Sequence, residues 1–146
     1  MRSEHLSNVH PGWAAVGWVV ALAVTAGVHL ALVGTGFLPP GAAEAVGGAA
    51  AVALGFFAGG LFVGLRWSDA PVLNGVAIAL ISAILWFVAS LFAPEPFSDH
   101  LRLAGTAATL GSLLLQLVAA VAGALTGRSM VLRGQVPEPD SLPPEA

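Results

Sequence analysis

The sequence predicts an all-α integral membrane protein, a four-helix bundle with both termini in the cytoplasm. Of its 146 residues, 57% are hydrophobic and only 9% are charged, whereas an ordinary soluble domain carries roughly a quarter charged residues. The few charges also leave four long uncharged stretches. Each has the length of about 20 residues that a helix needs to cross a hydrocarbon core ~30 Å thick.

Each apolar stretch is expected to be helical, because a segment in lipid must satisfy its own backbone hydrogen bonds. Prolines 39 and 40 are expected to end the first span, and Pro71 suits the first turn of the third. We place the spans at residues 13–38, 44–65, 71–93 and 101–127. An N-terminal segment, 1–12, precedes them, and a Pro-rich acidic tail, 128–146, follows and is expected to be disordered.

The arginines predict the orientation of the bundle. With four spans, four of the five arginines fall on one side, and only Arg102 falls on the other. Loops rich in Arg or Lys stay in the cytoplasm, so both termini are expected there. A chain rich in Ala, Gly, Val and Leu and without Lys is typical of a GC-rich bacterial genome, which predicts the bacterial inner membrane. The arginines that carry this prediction are Arg2, Arg66, Arg128 and Arg133.

The second span is rich in small residues at helical spacing. Such a stripe removes side chains from one face, so that a neighbouring backbone can approach closely. The stripe predicts packing inside the bundle, with a surface for a second copy or another subunit as the alternative. Its members are Gly47, Ala51, Gly55 and Gly59, at every fourth position, and Gly60 with Gly64.

Polar residues on the other spans predict a polar core. His29 is the only ionisable residue well inside a span, and such residues are functional candidates by default. We expect helices one, three and four to meet around it, with the imidazole hydrogen-bonded to Ser82, Ser112 or Gln116. The candidate core comprises Thr25, His29, Ser82, Trp86, Thr109, Ser112 and Gln116.

No motif predicts an enzyme, a metal site or a cofactor. The chain has no Cys and no G-x-S-x-G sequence. No acidic residue that could exchange protons for a substrate is embedded in a span, since Glu44 lies at a helix boundary. His29 and His100 are separated by about 17 Å along the bundle axis at 1.5 Å per residue, so one haem could not be ligated by both. The small net charge of −3 gives no basic surface for nucleic acid.

These observations favour a non-enzymatic protein that acts by helix association. Its expected partners are the lipid bilayer and either other membrane subunits, for which it would be an accessory subunit, or further copies of itself. One alternative is a small transporter or channel with a polar path past His29. Another is an intramembrane haem or quinone protein, in which haem would need a His29 from each of two copies.

Three short motifs resemble one family. The run Gly55-Phe56-Phe57-Ala58-Gly59-Gly60, followed by Gly64-Leu65-Arg66 and Leu73-Asn74-Gly75, resembles the small four-span YrzE-like bacterial membrane proteins. In these proteins a Gly-rich second helix ends in a Gly-x-Arg-type turn. The resemblance covers about the middle third of the chain, and it implies the four-span fold and no activity.

Overall fold

The structure, a computed structural model, describes residues 10–36, 46–66, 69–92 and 97–134, without the side chains of residues 97–107. These residues form four helices: α1 (Pro11–Gly34), α2 (Gly48–Arg66), α3 (Pro71–Phe92) and α4 (Phe97–Gly134). Each of the four contains a stretch long and apolar enough to cross a membrane. The expectation of an all-helical fold with four such helices is therefore confirmed.

Helix α1 ends earlier than the prolines at 39 and 40 suggest. Its last residue is Gly34, because the chain turns at the next two residues. The Thr35 hydroxyl donates a hydrogen bond to the carbonyl of Ala31 at 2.8 Å. Gly36 then adopts a left-handed conformation with φ of 61°, and its N–H donates to the carbonyl of Val33 at 3.2 Å. A glycine in this conformation commonly terminates a helix.

Helix α4 is longer than predicted at both ends. It begins at Phe97 and continues to Gly134, so residues 128–134, expected to belong to the tail, are helical. This stretch contains Arg, Met, Val and Leu, which a helix accommodates, and the next proline is Pro137. The rest of the tail, residues 135–146, lies outside the described residues, as do residues 1–9 of the N-terminal segment.

The helices pack at the corners of a four-sided bundle in the order α1, α2, α4, α3. The α2–α4 interface is the most extensive, followed by α1–α2 and α3–α4. Helices α1 and α4 lie on a diagonal and share no extended interface among the described residues. Helix α2 runs antiparallel to α1, since Gly17 meets Gly59 and Thr25 meets Gly55, and it runs parallel to α4.

The glycines of α2 face two different neighbours. Gly55 and Gly59 lie against α1, where a Cβ atom at Gly55 would come within 2.5 Å of the carbonyl oxygen of Ala21. Gly60 and Gly64 lie against α4, directly at the carbonyl groups of Ala120 and Ala124. Gly59 and Gly60 are successive residues, so they point about 100° apart around the helix axis. This angle allows α2 to contact α1 on one side and α4 on the adjacent side.

The contact between α2 and α4 is reciprocal. Gly123 of α4 faces the carbonyl of Phe57, and a Cβ at Gly127 would lie 2.5 Å from the carbonyl oxygen of Leu61. In all these places a carbonyl of one helix points at a glycine Cα of the other, which is the geometry of weak Cα–H···O hydrogen bonds. Gly47 and Ala51, the first members of the predicted stripe, are both buried.

Burial is concentrated in one half of the bundle. We call the end where α2 and α4 finish the basic end, because it carries Arg66, Arg128 and Arg133. The core near it consists of alanines, two β-branched residues and one phenylalanine from all four helices: Ala14, Ala21, Phe56, Val63, Ile78, Ala119 and Ala120. In the other half, the open half, residues 84–89 of α3 are all exposed. Six consecutive residues cover every face of a helix, so this part of α3 is less buried than its first half.

We predict that Gly60→Ala destabilises the bundle, because the new methyl group would collide with the backbone of Ala120 and force α2 and α4 apart. Overpacking of this kind typically costs about 1–3 kcal/mol. The free energy of unfolding in detergent micelles measures the effect. Gly27→Ala is the matched control, since a Cβ at Gly27 meets nothing within 4 Å. Equal unfolding free energies for the two variants would show that the close contact at Gly60 does not determine the stability of the bundle.

Candidate functional site in the open half

A groove between α2 and α4 combines open space with polar lining. Its volume is about 490 Å³. Small side chains leave this room, because α2 contributes two residues no larger than Ala at its first turn and α4 contributes two more. The lining residues are Gly48, Ala49, Val52, Ala108, Gly111, Ser112 and Leu115.

One side-chain hydrogen bond lies along the α4 wall of this groove. The Gln116 side-chain nitrogen, Nε2, donates to Ser112 Oγ at 3.3 Å. Gln116 Oε1 is buried and accepts no hydrogen bond from a described residue. An amide oxygen can accept two hydrogen bonds, so Gln116 retains full accepting capacity beside the groove. Thr109, one turn before Ser112 on α4, is half-buried.

The hydrogen-bonded cluster expected around His29 is not present among the described residues. His29 and Thr25 are half-buried on α1, and Thr25 Oγ1 packs against Gly55 of α2. Helix α1 shares no extended interface with α4, which carries Ser112 and Gln116, in the part of the chain that the structure describes. No hydrogen bond among the described residues joins its imidazole to any of the expected partners.

Helix α3 brings its two candidate residues to different surroundings. Ser82 is half-buried, whereas the Trp86 side chain is 39% exposed. Trp86 lies in the exposed stretch of α3, residues 84–89. The seven candidates therefore divide among the α1–α2 contact, the α4 wall of the groove and the second half of α3. The fold does not gather them into one core.

The arginines of the basic end differ in environment. The Arg66 guanidinium carbon lies 5.6 Å from the centroid of the Trp13 ring, which is within the range of a cation–π interaction. Arg128 is half-buried and Arg133 is exposed. Arg2 lies outside the described residues. Among the described residues there is no cluster of three His, Asp or Glu side chains that could hold a metal ion.

Asn74 is a buried polar residue that the sequence reasoning missed. Its side chain is 0% exposed, and neither Nδ2 nor Oδ1 has a hydrogen-bond partner among the described residues. The backbone N–H of Asn74 donates to the carbonyl of Ala70 at 3.0 Å, so only the side chain is unpaired. The sequence distinguishes this residue in one way, since Asn74 is the only Asn within the four spans.

Comparison with known proteins adds no relative. No protein-family model, curated protein or solved structure matches the chain. The resemblance to YrzE-like proteins stays a prediction, and functional inference depends on the geometry of the chain itself.

We predict that Asn74→Leu stabilises the bundle. A buried amide without partners costs about 1–3 kcal/mol, and Leu has a similar shape without that cost. Asn74→Ala is the control, because it removes the amide and leaves a void, and it should therefore gain less or lose stability. Reversible unfolding in micelles measures both. Destabilisation by Leu would mean that the amide binds a buried polar partner such as water.

Proposed function

We propose that this protein acts by helix association, as an accessory subunit of a membrane complex or as a homo-oligomer, and that it has no enzymatic activity. It would reside in the bacterial inner membrane with both termini in the cytoplasm. The groove between α2 and α4 in the open half carries this proposal. It is the place where a further transmembrane helix finds both room and a polar contact.

The residues along the groove suit a helix better than they suit lipid. Gly48, Ala49, Ala108 and Gly111 leave space for the backbone of another helix to approach, as small residues do at interfaces between membrane helices. The hydroxyl of Ser112, which lines the groove and is exposed, can share a hydrogen bond with a Ser, Thr or backbone group of a partner helix but not with acyl chains. Such interhelical bonds contribute about 0.6 kcal/mol on average.

The glycine stripe of α2 is a less suitable partner surface. Gly55 and Gly59 already contact α1, and Gly60 and Gly64 already contact α4. A second copy could reach these positions only by displacing a helix of the same chain. Association is therefore expected in the open half, at the groove between α2 and α4.

The transport alternative requires a path that joins His29 to polar residues of α3 and α4. The polar groove is formed by α2 and α4, and an apolar groove of about 240 Å³ is formed by α3 and α4. Neither groove contains a residue of α1, on which His29 lies. This division of the polar residues favours association over transport.

The proposed orientation predicts where the C-terminus lies. Green fluorescent protein fused after residue 146 should fluoresce in a bacterial host, and alkaline phosphatase at the same position should be inactive, because the positive-inside rule keeps the Arg-rich side in the cytoplasm. Phosphatase fused after residue 95, in the loop on the other side, serves as the control and should be active. The reverse pattern would invert the topology.

The absence of cysteine from the chain allows a clean test of association. We predict that Ser112→Cys, labelled with a thiol-reactive photocrosslinker in membranes, gives one adduct of defined mass. Twice the mass of the chain indicates a homo-oligomer, and another constant mass indicates a subunit partner. Leu114→Cys is the control, because Leu114 is 61% exposed on another face of α4 at similar depth. Association through the groove is refuted if the two labelled variants crosslink equally or if neither does.

A further inference from the structure

Three side chains form a cluster at the basic end, away from the groove. Trp13 lies in the first turn of α1, and Phe62 and Arg66 are four residues apart on α2. The rings of Trp13 and Phe62 have centroids 6.2 Å apart and are tilted by 48°, and the Arg66 guanidinium carbon lies 5.6 Å from the Trp13 centroid. Positions i and i+4 share one face of a helix, so Phe62 and Arg66 together hold the indole from the α2 side.

This arrangement positions the charge of Arg66 and leaves its donors available. A guanidinium near the face of an aromatic ring is attracted by the ring, while its five N–H groups point outward in its own plane. Arg66 is exposed, and no ion pair to it is present among the described residues. Asp69, the nearest acidic residue in that part of the chain, is exposed and does not pair with it.

The depth of the cluster fits the level of lipid headgroups. Tryptophan is enriched at membrane–water interfaces, and Trp13 and Arg66 lie at the start and the end of candidate membrane spans. Gly64 contacts Ala124, which aligns α2 and α4 at this end. From that contact, Arg66 lies about 3 Å and Arg128 about 6 Å further along their helices at 1.5 Å per residue. Two positive charges thus occupy nearly the same level.

We propose that the cluster of Trp13, Phe62 and Arg66 binds the phosphate of an anionic phospholipid headgroup. The planar edge of a guanidinium matches two phosphate oxygens and donates to both. Arg128 adds positive potential at the same level, and Trp13 fixes the guanidinium and packs against the upper acyl chain. Basic sites between helices on the cytoplasmic side bind anionic headgroups in this way. The proposal depends on insertion of the bundle into a bilayer, and it does not depend on a partner in the groove.

Native mass spectrometry of the full chain tests this proposal, with phosphatidylglycerol and phosphatidylcholine as competing probes. The unaltered protein should retain phosphatidylglycerol preferentially. Arg66→Gln should weaken its retention about fivefold, which corresponds to the contribution of one basic residue at an anionic membrane surface. Trp13→Leu keeps the charge of Arg66 but removes the ring that holds the guanidinium in place. It should weaken retention roughly two- to fivefold. Arg133→Gln is the matched control and should retain the lipid as the unaltered protein does.

Two further measurements test whether the planar guanidinium is required and whether the ligand is a lipid headgroup or free phosphate. Arg66→Lys keeps the charge and loses the planar pair of donors, so it should fall between the unaltered protein and Arg66→Gln, and thermal unfolding of each variant shows that the bundle is intact. Excess inorganic phosphate should leave the lipid bound. The proposal is overturned if the two lipids bind equally, if Arg133→Gln loses as much as Arg66→Gln, or if free phosphate displaces the lipid. A wrong topology or a missing groove partner would appear in the fusion and crosslinking experiments instead.

Discussion

The contact of the α2 backbone with two neighbouring backbones is the constraint on which the rest of the structure depends. In a bilayer, lipid is as apolar as such helices, so their association would rest on close packing and weak hydrogen bonds. Helices with ordinary side chains pack with their axes 8–10 Å apart, and glycine allows a closer approach. Gly55 and Gly59 serve one neighbour, and Gly60 and Gly64 serve the other. The two faces fix the corner at which α1 and α4 meet α2, and α3 completes the square.

The same contacts explain why one half of the bundle is closed and the other open. The glycines that meet backbone lie between residues 55 and 64 of α2, and their partners in α4 lie between residues 120 and 127. Toward the start of α2, the residues facing α4 still include Gly and Ala, and their small side chains leave a groove there. The basic end has the charged residues and the close packing, whereas the opposite end has polar side chains beside an open groove. The proposed contacts with lipid headgroups and with a partner helix therefore involve different residues.

The sequence predicted the helices well and their neighbours poorly. Charge-free stretches of about 20 residues identify spans, and spacing identifies which residues share a face. Neither shows which face of one helix meets which face of another. The placement of Ser112 and Gln116 opposite His29 rested on equal depth alone, and the diagonal position of α1 and α4 separates them. Asn74 escaped attention because one amide in an apolar helix leaves no periodic pattern. Helix ends such as Gly34 depend on local hydrogen bonds, which sequence patterns locate only within a few residues.

The reciprocal contact between α2 and α4 also determines the order in which the bundle can be assembled. Residues that meet there, such as Gly60 and Ala120, are separated by about half of the chain, whereas α1 and α2 are consecutive. During synthesis α1 can pair with Gly55 and Gly59 as soon as α2 has been inserted. In a bilayer, the face of α2 that carries Gly60 and Gly64 would then contact lipid until the last helix arrives. The largest interface of the protein would thus be the last to form, and a ribosome that stops before α4 would leave three helices with an uncovered glycine face.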